Sequence, residues 1–262
     1  MAKIARVALA AAGLVVLMHA AVASDRGMPR ISPKATGYSA VLMWHDIVPG
    51  KKDVWFDVTV AEFRRQLTEI KRRGFHVIPL EQLQKHLVDG SPVPPKSLVL
   101  TFDDNTEGLY RYAYPMLKEF GFPATYYVHT SFVGVRTCKE HCTWGQLAEM
   151  ARSGLISVQS HTCTHPPNLR VLSDADLRRE LTESRARIEK RLGTRVFALA
   201  YTEGNFDRRV QEAVRSAGYT NAVGEEWGSA ESSANLLAVH RYSVHRRFAQ
   251  ALNDVERAAR RR

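Results

Sequence analysis

Short apolar, strand-like runs recur along the chain with amphipathic helical stretches between them, and that alternation leaves few folds open. The runs cover residues 38–44, 75–78, 98–102, 124–128, 156–159, 196–201, 219–223 and 238–244. Between them, apolar residues fall three and four apart, as in Phe63, Leu67 and Ile70 before Gly74, or Leu177, Leu181, Ile188 and Leu192 before Gly193. Such spacing lines one face of a helix, and a following glycine suits its end. Ser173, with Asp176 three residues on, marks the start of the second of these helices. Further helices are predicted over residues 81–89, 107–120, 144–152, 208–216 and 246–257. Strand–helix alternation implies a parallel sheet, because parallel neighbours need a crossover, and seven or eight such units favour closure into a barrel. One domain is expected over residues 35–258. Of the 262 residues, 45% are hydrophobic and 24% charged, which excludes a disordered chain, a collagen-like repeat and a disulfide mini-protein.

The first residues read as an address. Lys3 and Arg6 precede an uncharged apolar run over residues 7–23 that closes in Ala21-Val22-Ala23. This is the build of a secretory signal peptide cleaved after Ala23, so residues 1–23 are set apart from the fold. The rival, an uncleaved membrane anchor, would sit at the short limit for spanning. Export to the periplasm or the cell exterior is therefore expected, with membrane contact only in transit and no nucleic-acid partner. In an oxidising compartment Cys138 and Cys142 are candidates for a short disulfide. Lys and Arg number 37 against 27 Asp and Glu, a net charge of +10. That excess would draw the chain towards anionic polymers without naming one.

The chemistry-bearing residues stand at strand ends, where parallel α/β folds place their sites. The run at 98–102 stops in Asp103-Asp104-Asn105. Two adjacent carboxylates there are costly without a cation; the alternative is that Asp104 or Asn105 caps the next helix. The run at 156–159 stops in Ser160-His161, with His165 four residues later and Pro166-Pro167 beyond. Joined to an aspartate, two histidines at this spacing make the ligand set of catalytic zinc, and equally of non-haem iron. His45 and Asp46 end the first strand and His129 another. Cys163, between the two histidines, is expected to be small and buried, while His76, His86 and His141 are expected at the surface.

Thr101-Phe102-Asp103-Asp104 and Ser160-His161-x3-His165 resemble the first two motifs of the polysaccharide deacetylase family (NodB homology domain, carbohydrate esterase family 4). The similarity extends from about Val41 to Tyr242, through Trp44-His45-Asp46, Phe122-Pro123-Ala124-Thr125, Thr143-Trp144-Gly145-Gln146-Leu147 and Glu183-Ser184-x3-Ile188. Trp44-His45-Asp46 is similar to the branch acting on poly-N-acetylglucosamine. The resemblance implies a distorted (β/α)7–8 barrel that hydrolyses N-acetyl groups from an N-acetylated glycan polymer, with chitin and peptidoglycan as neighbouring substrates. It implies Asp103 as general base and Asp104, His161 and His165 as ligands of a divalent metal, zinc foremost, with cobalt, nickel or iron as substitutes. The metal would polarise the acetamide carbonyl and acidify a water, and a protonated group would donate to the leaving amine. Other motifs depart from the family. Thr202-Glu203-Gly204 stands where Pro-Tyr-Gly is usual, leaving the backbone N–H of Glu203 as oxyanion donor, and no arginine stands just before it. His240 is the expected general acid, His245 the second choice, and His45, Trp227 and Arg241 are expected to touch substrate. These departures motivate an alternative: a catalytically impaired carbohydrate-binding relic.

Overall fold

The structure, a computed structural model, describes residues 27–261; the expected signal peptide, residues 1–23, lies outside them. The strands are β1 (Ala40–Trp44), β2 (Ile47–Val48), β3 (Val58–Thr59), β4 (His76–Val77), β5 (Ser97–Phe102), β6 (Ala124–Val128), β7 (Ile156–Ser160), β8 (Ala198–Ala200), β9 (Asn221–Val223) and β10 (Tyr242–Ser243). The main sheet runs β10-β1-β5-β6-β7-β8-β9, with β4 on β5, and β2 and β3 form a separate pair. Every pairing is parallel, with Trp44 opposite Phe102 and Ala200 opposite Val223. The predicted barrel is present and its distortion is local. Between β9 and β1 the last run is only a two-residue strand, because Val239 first bridges Val223 on β9 before Tyr242 pairs with Leu42 on β1. One short segment thus spans the seam and touches both edges.

Residue alternation sorts two layers of core. Ala40, Leu42 and Trp44 of β1, Leu98, Leu100 and Phe102 of β5, and Ala124, Tyr126 and Val128 of β6 join the outer core. That core is completed by α1 (Val60–Arg72), α3 (Tyr114–Phe120), α4 (Trp144–Arg152), α5 (Asp174–Leu192), α6 (Arg208–Ser216) and α7 (Val244–Ala259). The intervening Val41, Val99, Tyr127, Ala198, Ala200 and Val223 form a second core with Leu80, Leu83 and Leu87 of α2 (Leu80–Asp89). The period-two strand thus sends every other side chain to the barrel interior, and α2 fills its lower end.

Local chemistry agrees with these elements. Thr59 and Glu62 form a reciprocal capping box at α1, and Ser173 caps α5 by accepting from the Asp176 N–H at 3.1 Å. The helix predicted over 107–120 instead opens with a π-helical turn at Leu109–Ala113. Pro115 has no N–H to give the Arg111 carbonyl, so the regular ladder cannot form across that step.

α7 is tied back to the body by Glu256, which takes Arg73 Nε and Nη2 at 3.2 and 2.9 Å and Lys96 Nζ at 3.2 Å. Arg73, with help from Lys96, holds the Glu256 carboxyl down to about 2. A depressed folded-state value adds stability that is complete above the unfolded value and disappears as pH falls from about 4.5 to about 2. Glu256→Gln should therefore lower Tm by about 2–4 °C at pH 7, corresponding to about 1 kcal/mol. Thermal melts down to pH 2 should show the two proteins converging.

Candidate active site

The sheet's alternation decides which strand-end residues meet. His45 continues the inward row Val41-Met43, Asp103 the row Val99-Thr101, His129 the row Thr125-Tyr127, and His161 the row Ser157-Gln159. All four stand at the C-terminal ends of their strands, as does the turn carrying Glu203 beyond β8. His45, Asp103 and His161 open into a cleft of about 250 Å3 that is also lined by Asp104, His165, Glu203, Glu225 and Trp227, among others.

Asp104, His161 and His165 each bring one ligand atom to a common point, all within 4.8 Å of one another. His161 Nε2 and His165 Nε2 lie 3.5 and 3.6 Å from Asp104 Oδ1. The other nitrogen of His161, Nδ1, is 2.8 Å from the Ala200 carbonyl, which fixes the tautomer that leaves Nε2 free to coordinate. Burial pushes the Asp104 carboxyl up, yet the histidines around it outweigh burial and hold it well below the usual carboxylate range. Two imidazole nitrogens and one carboxylate oxygen facing one point fit a divalent metal with open positions. Neither Asp104 nor Asn105 caps the helix that follows: Asn105 Oδ1 accepts from the His129 N–H at 3.1 Å, and the Glu107 N–H goes to the Glu140 carbonyl at 2.9 Å.

Asp103 has a different partner. The Arg241 guanidinium grips it in parallel, Nη1 to Oδ1 and Nη2 to Oδ2 both at 2.8 Å, while Nε donates to the Gly224 carbonyl at 2.9 Å. Arg241 is fully buried. The expectation that it touches substrate is corrected: it lies behind Asp103, facing inward from the seam between β9 and β1. Burial pushes the Asp103 carboxyl up, but Arg241, with His161 and His45, outweighs this and keeps it ionised below the ordinary range. No arginine stands just before Thr202, and the guanidinium that meets Asp103 comes from residue 241.

Alternation also moves His240. With Arg241 inward, His240 faces the other way, its Nδ1 3.4 Å from Ser232 Oγ and its Nε2 3.7 Å from Glu226 Oε2. It does not line the cleft. His45 does, its ring tilted against Phe56 with centroids 4.8 Å apart, and its Nδ1 is buried without a hydrogen-bond partner. His245 also lines the cleft, but it packs edge-on to Trp55, and burial beside His45 and Arg246 pushes it down to about 4.

Two of the three candidate ligands, Asp104 and His165, sit on a strained backbone. Among the described residues six non-glycine residues have positive φ, and Asp104, Asn105, Thr162, His165 and Glu203 are five of them. A β-branched Thr162 at φ 70° is costly and persists only if its surroundings dictate it. They do so through Glu180, buried on α5, which accepts from the N–H groups of Cys163 and Thr164 at 2.8 and 2.9 Å and from Thr164 Oγ1 at 2.7 Å. Sequence reading passed over Glu180. Its trace was a carboxylate on the apolar stripe formed by Leu177, Leu181 and Ile188. Lys139 was missed too: its Nζ lies 2.7 Å from both Asp46 Oδ2 and buried Asp57 Oδ1, joining the residue after His45 to the loop carrying Trp55 and Phe56. Two further expectations change. His86 and His141 are buried against the Ser91 and Val135 carbonyls. Cys138 and Cys142 are unpaired, since Cys142 turns inward to the Thr106 carbonyl at 3.2 Å while Cys138 stays exposed. Cys163 is buried as expected.

The sequence model of the polysaccharide deacetylase family matches residues 90–222. This chain belongs to that family. It is similar to the putative polysaccharide deacetylase YxkH of Bacillus subtilis (strain 168), 28% identical over 204 residues, covering 78% of this chain and 70% of the relative. It is 30% identical over 139 residues to the poly-beta-1,6-N-acetyl-D-glucosamine N-deacetylase of Escherichia coli (strain K12); the match covers 48% of this chain but only 20% of the relative. Among solved structures, Streptococcus pyogenes deacetylase PplD in complex with acetate superposes with a TM-score of 0.72 at 27% identity, covering 78% of this chain and 91% of that one.

Removing one member of a buried ion pair strands the other. Arg241→Met should cost about 3–5 kcal/mol in urea unfolding, and adding Asp103→Asn should restore part of the loss rather than add to it. Additive losses would show that the pair is not coupled.

Proposed function

We propose that this chain is a metal-dependent hydrolase that removes N-acetyl groups from an N-acetylglucosamine-containing polysaccharide and releases acetate. The observation that carries the reading is the adjacency of two unlike carboxylates: Asp103 locked to Arg241, and Asp104 turned towards two imidazoles. Zinc, or cobalt, nickel or iron in its place, held by Asp104, His161 and His165, would supply Lewis acidity to the acetamide carbonyl and make water a better nucleophile there. Asp103, kept ionised and aimed into the cleft, takes the proton of the attacking water. Arg241 fixes both carboxylate oxygens, so that it acts as a positioned base. The turn after β8 offers the Glu203 backbone N–H to the developing oxyanion. The proton for the leaving amine comes from His45, which lines the cleft beside both carboxylates, whereas His240 faces away and His245 is held neutral.

A glycan such as poly-β-1,6-N-acetylglucosamine is supported by the likeness to the Escherichia coli enzyme, and chitin and peptidoglycan remain in the same class. The polymer is reached outside the cytoplasm, after removal of residues 1–23. No described helix is long and apolar enough to cross a membrane. The relic alternative rested on Thr202-Glu203 and on the missing arginine; the Asp103–Arg241 pair speaks against the second ground, and the Glu203 backbone N–H remains available against the first. Oxygenase chemistry needs no second carboxylate held as a base, which Asp103 is.

Acetate release from N-acetylglucosamine oligomers should stop with EDTA and return with zinc or cobalt. Asp104→Ala should lose bound metal by elemental analysis. Asp103→Asn should keep it and lose turnover by about a hundred- to ten-thousand-fold. Metal-independent release would overturn the reading. Separately, His45→Ala should slow turnover by about a hundredfold or more, with His240→Ala close to wild type; the reverse would make His240 the donor.

A further inference from the structure

Arg246 and Arg247 are neighbours in the first turn of α7, and each lies over an indole. Arg246 Cζ is 4.4 Å from the centre of the Trp55 ring and Arg247 Cζ 4.2 Å from that of Trp227. All four residues line the cleft that holds Asp103, Asp104, His161 and His165. Trp55 and Trp227 are 63% and 48% exposed, the large exposed aromatics of the site. Bare indoles at a sugar-processing cleft would serve as stacking platforms for neutral rings. Here a guanidinium covers a face of each, so the rim presents two held forks of N–H donors.

These donors are uncommitted. Among the described residues neither arginine is within ion-pair distance of a carboxylate, and Arg247 Nη1 donates only to Gln250 Oε1 at 2.8 Å. They do not help the helix either, since cations in a first turn oppose its dipole. The cleft's free acids lie on other loops, Glu203 beyond β8 and Glu225 beyond β9, with Glu225 packed against Gly204. Arg247 lies over Trp227, on the same loop as Glu225, and Arg246 over Trp55, on the loop between β2 and β3.

We propose that Arg246 and Arg247 bind a carboxylate on the sugar adjoining the acetamido sugar, so that this chain prefers N-acetylated glycans bearing carboxylates to neutral homopolymers. Planar guanidinium matches carboxylate in two parallel hydrogen bonds, which neutral hydroxyls do not reproduce. The chain's net charge of +10 favours approach of such a polymer over a neutral one. The carboxylate has two chemical sources, a uronic acid or the lactyl ether of a muramic acid. The assignment rests on the deacetylase reading only for which sugar occupies the centre of the cleft.

The test is calorimetric titration of the mature chain, the Arg246→Ala/Arg247→Ala double variant and the Arg246→Lys/Arg247→Lys double variant. The ligands are oligosaccharides alternating N-acetylglucosamine with glucuronate, oligosaccharides alternating it with N-acetylmuramate, and chitohexaose. The wild type should bind at least one carboxylated ligand about tenfold or more tightly than chitohexaose, and whichever is tighter identifies the source. The alanine variant should lose that ratio and the lysine variant recover it in part, because charge returns without the fork. Equal binding of all three ligands by the wild type, or a preference surviving in the alanine variant, overturns the assignment. Acetate release with zinc is read on the same samples. Absence of acetate from every ligand with the preference intact would sink the deacetylase reading and leave carboxylate binding standing.

Discussion

Placing the Asp103 carboxylate out of water is the step on which the rest of the structure turns. A buried anion at the end of a buried strand is tolerated only beside a matched cation. Arg241 supplies it with two parallel 2.8 Å hydrogen bonds. Because Arg241 sits on the segment bridging β9 and β1, the same contact that tames the charge also draws the barrel's open edges together. Geometry for chemistry and closure of the fold are one interaction here, which is why Asp103 can stay ionised while the carboxylate next to it is left free to face His161 and His165.

Much of this was legible in the residues. The alternation of runs at 98–102, 124–128 and 156–159 with amphipathic stretches gave the parallel sheet, and the abrupt polar ends of two runs located Asp103, Asp104, His161 and His165. Period two, applied strictly, also separates Arg241 from His240, but only once the strand's register against β9 and β1 is known. That register is set by single pairings, Val239 with Val223 and Leu42 with Tyr242, and no local pattern announces them. For the same reason nothing in the local sequence marks Arg241 as the partner of Asp103, which lies 138 residues earlier.

Glu180 and Lys139 were hidden for a second reason. Each is a charged residue whose meaning lies in what it meets far along the chain: backbone N–H groups at 163 and 164 in one case, Asp46 and Asp57 in the other. In sequence a lone acid on a helical stripe, or a lysine in a polar loop, looks like solvated surface. In the fold both are clamps, one on the strained turn presenting His165, the other on the loop presenting Trp55 and Phe56.

The seam has a consequence in time as well as in space. Asp103, Asp104, His161 and His165 all emerge in the first two thirds of the chain, whereas the counter-charge for Asp103 arrives with residue 241. A chain still leaving the ribosome holds Asp104, His161 and His165 but carries Asp103 without its partner and with the barrel still open. Asp103 is thus fixed in place only after the strands that carry Asp104, His161 and His165 have all been made.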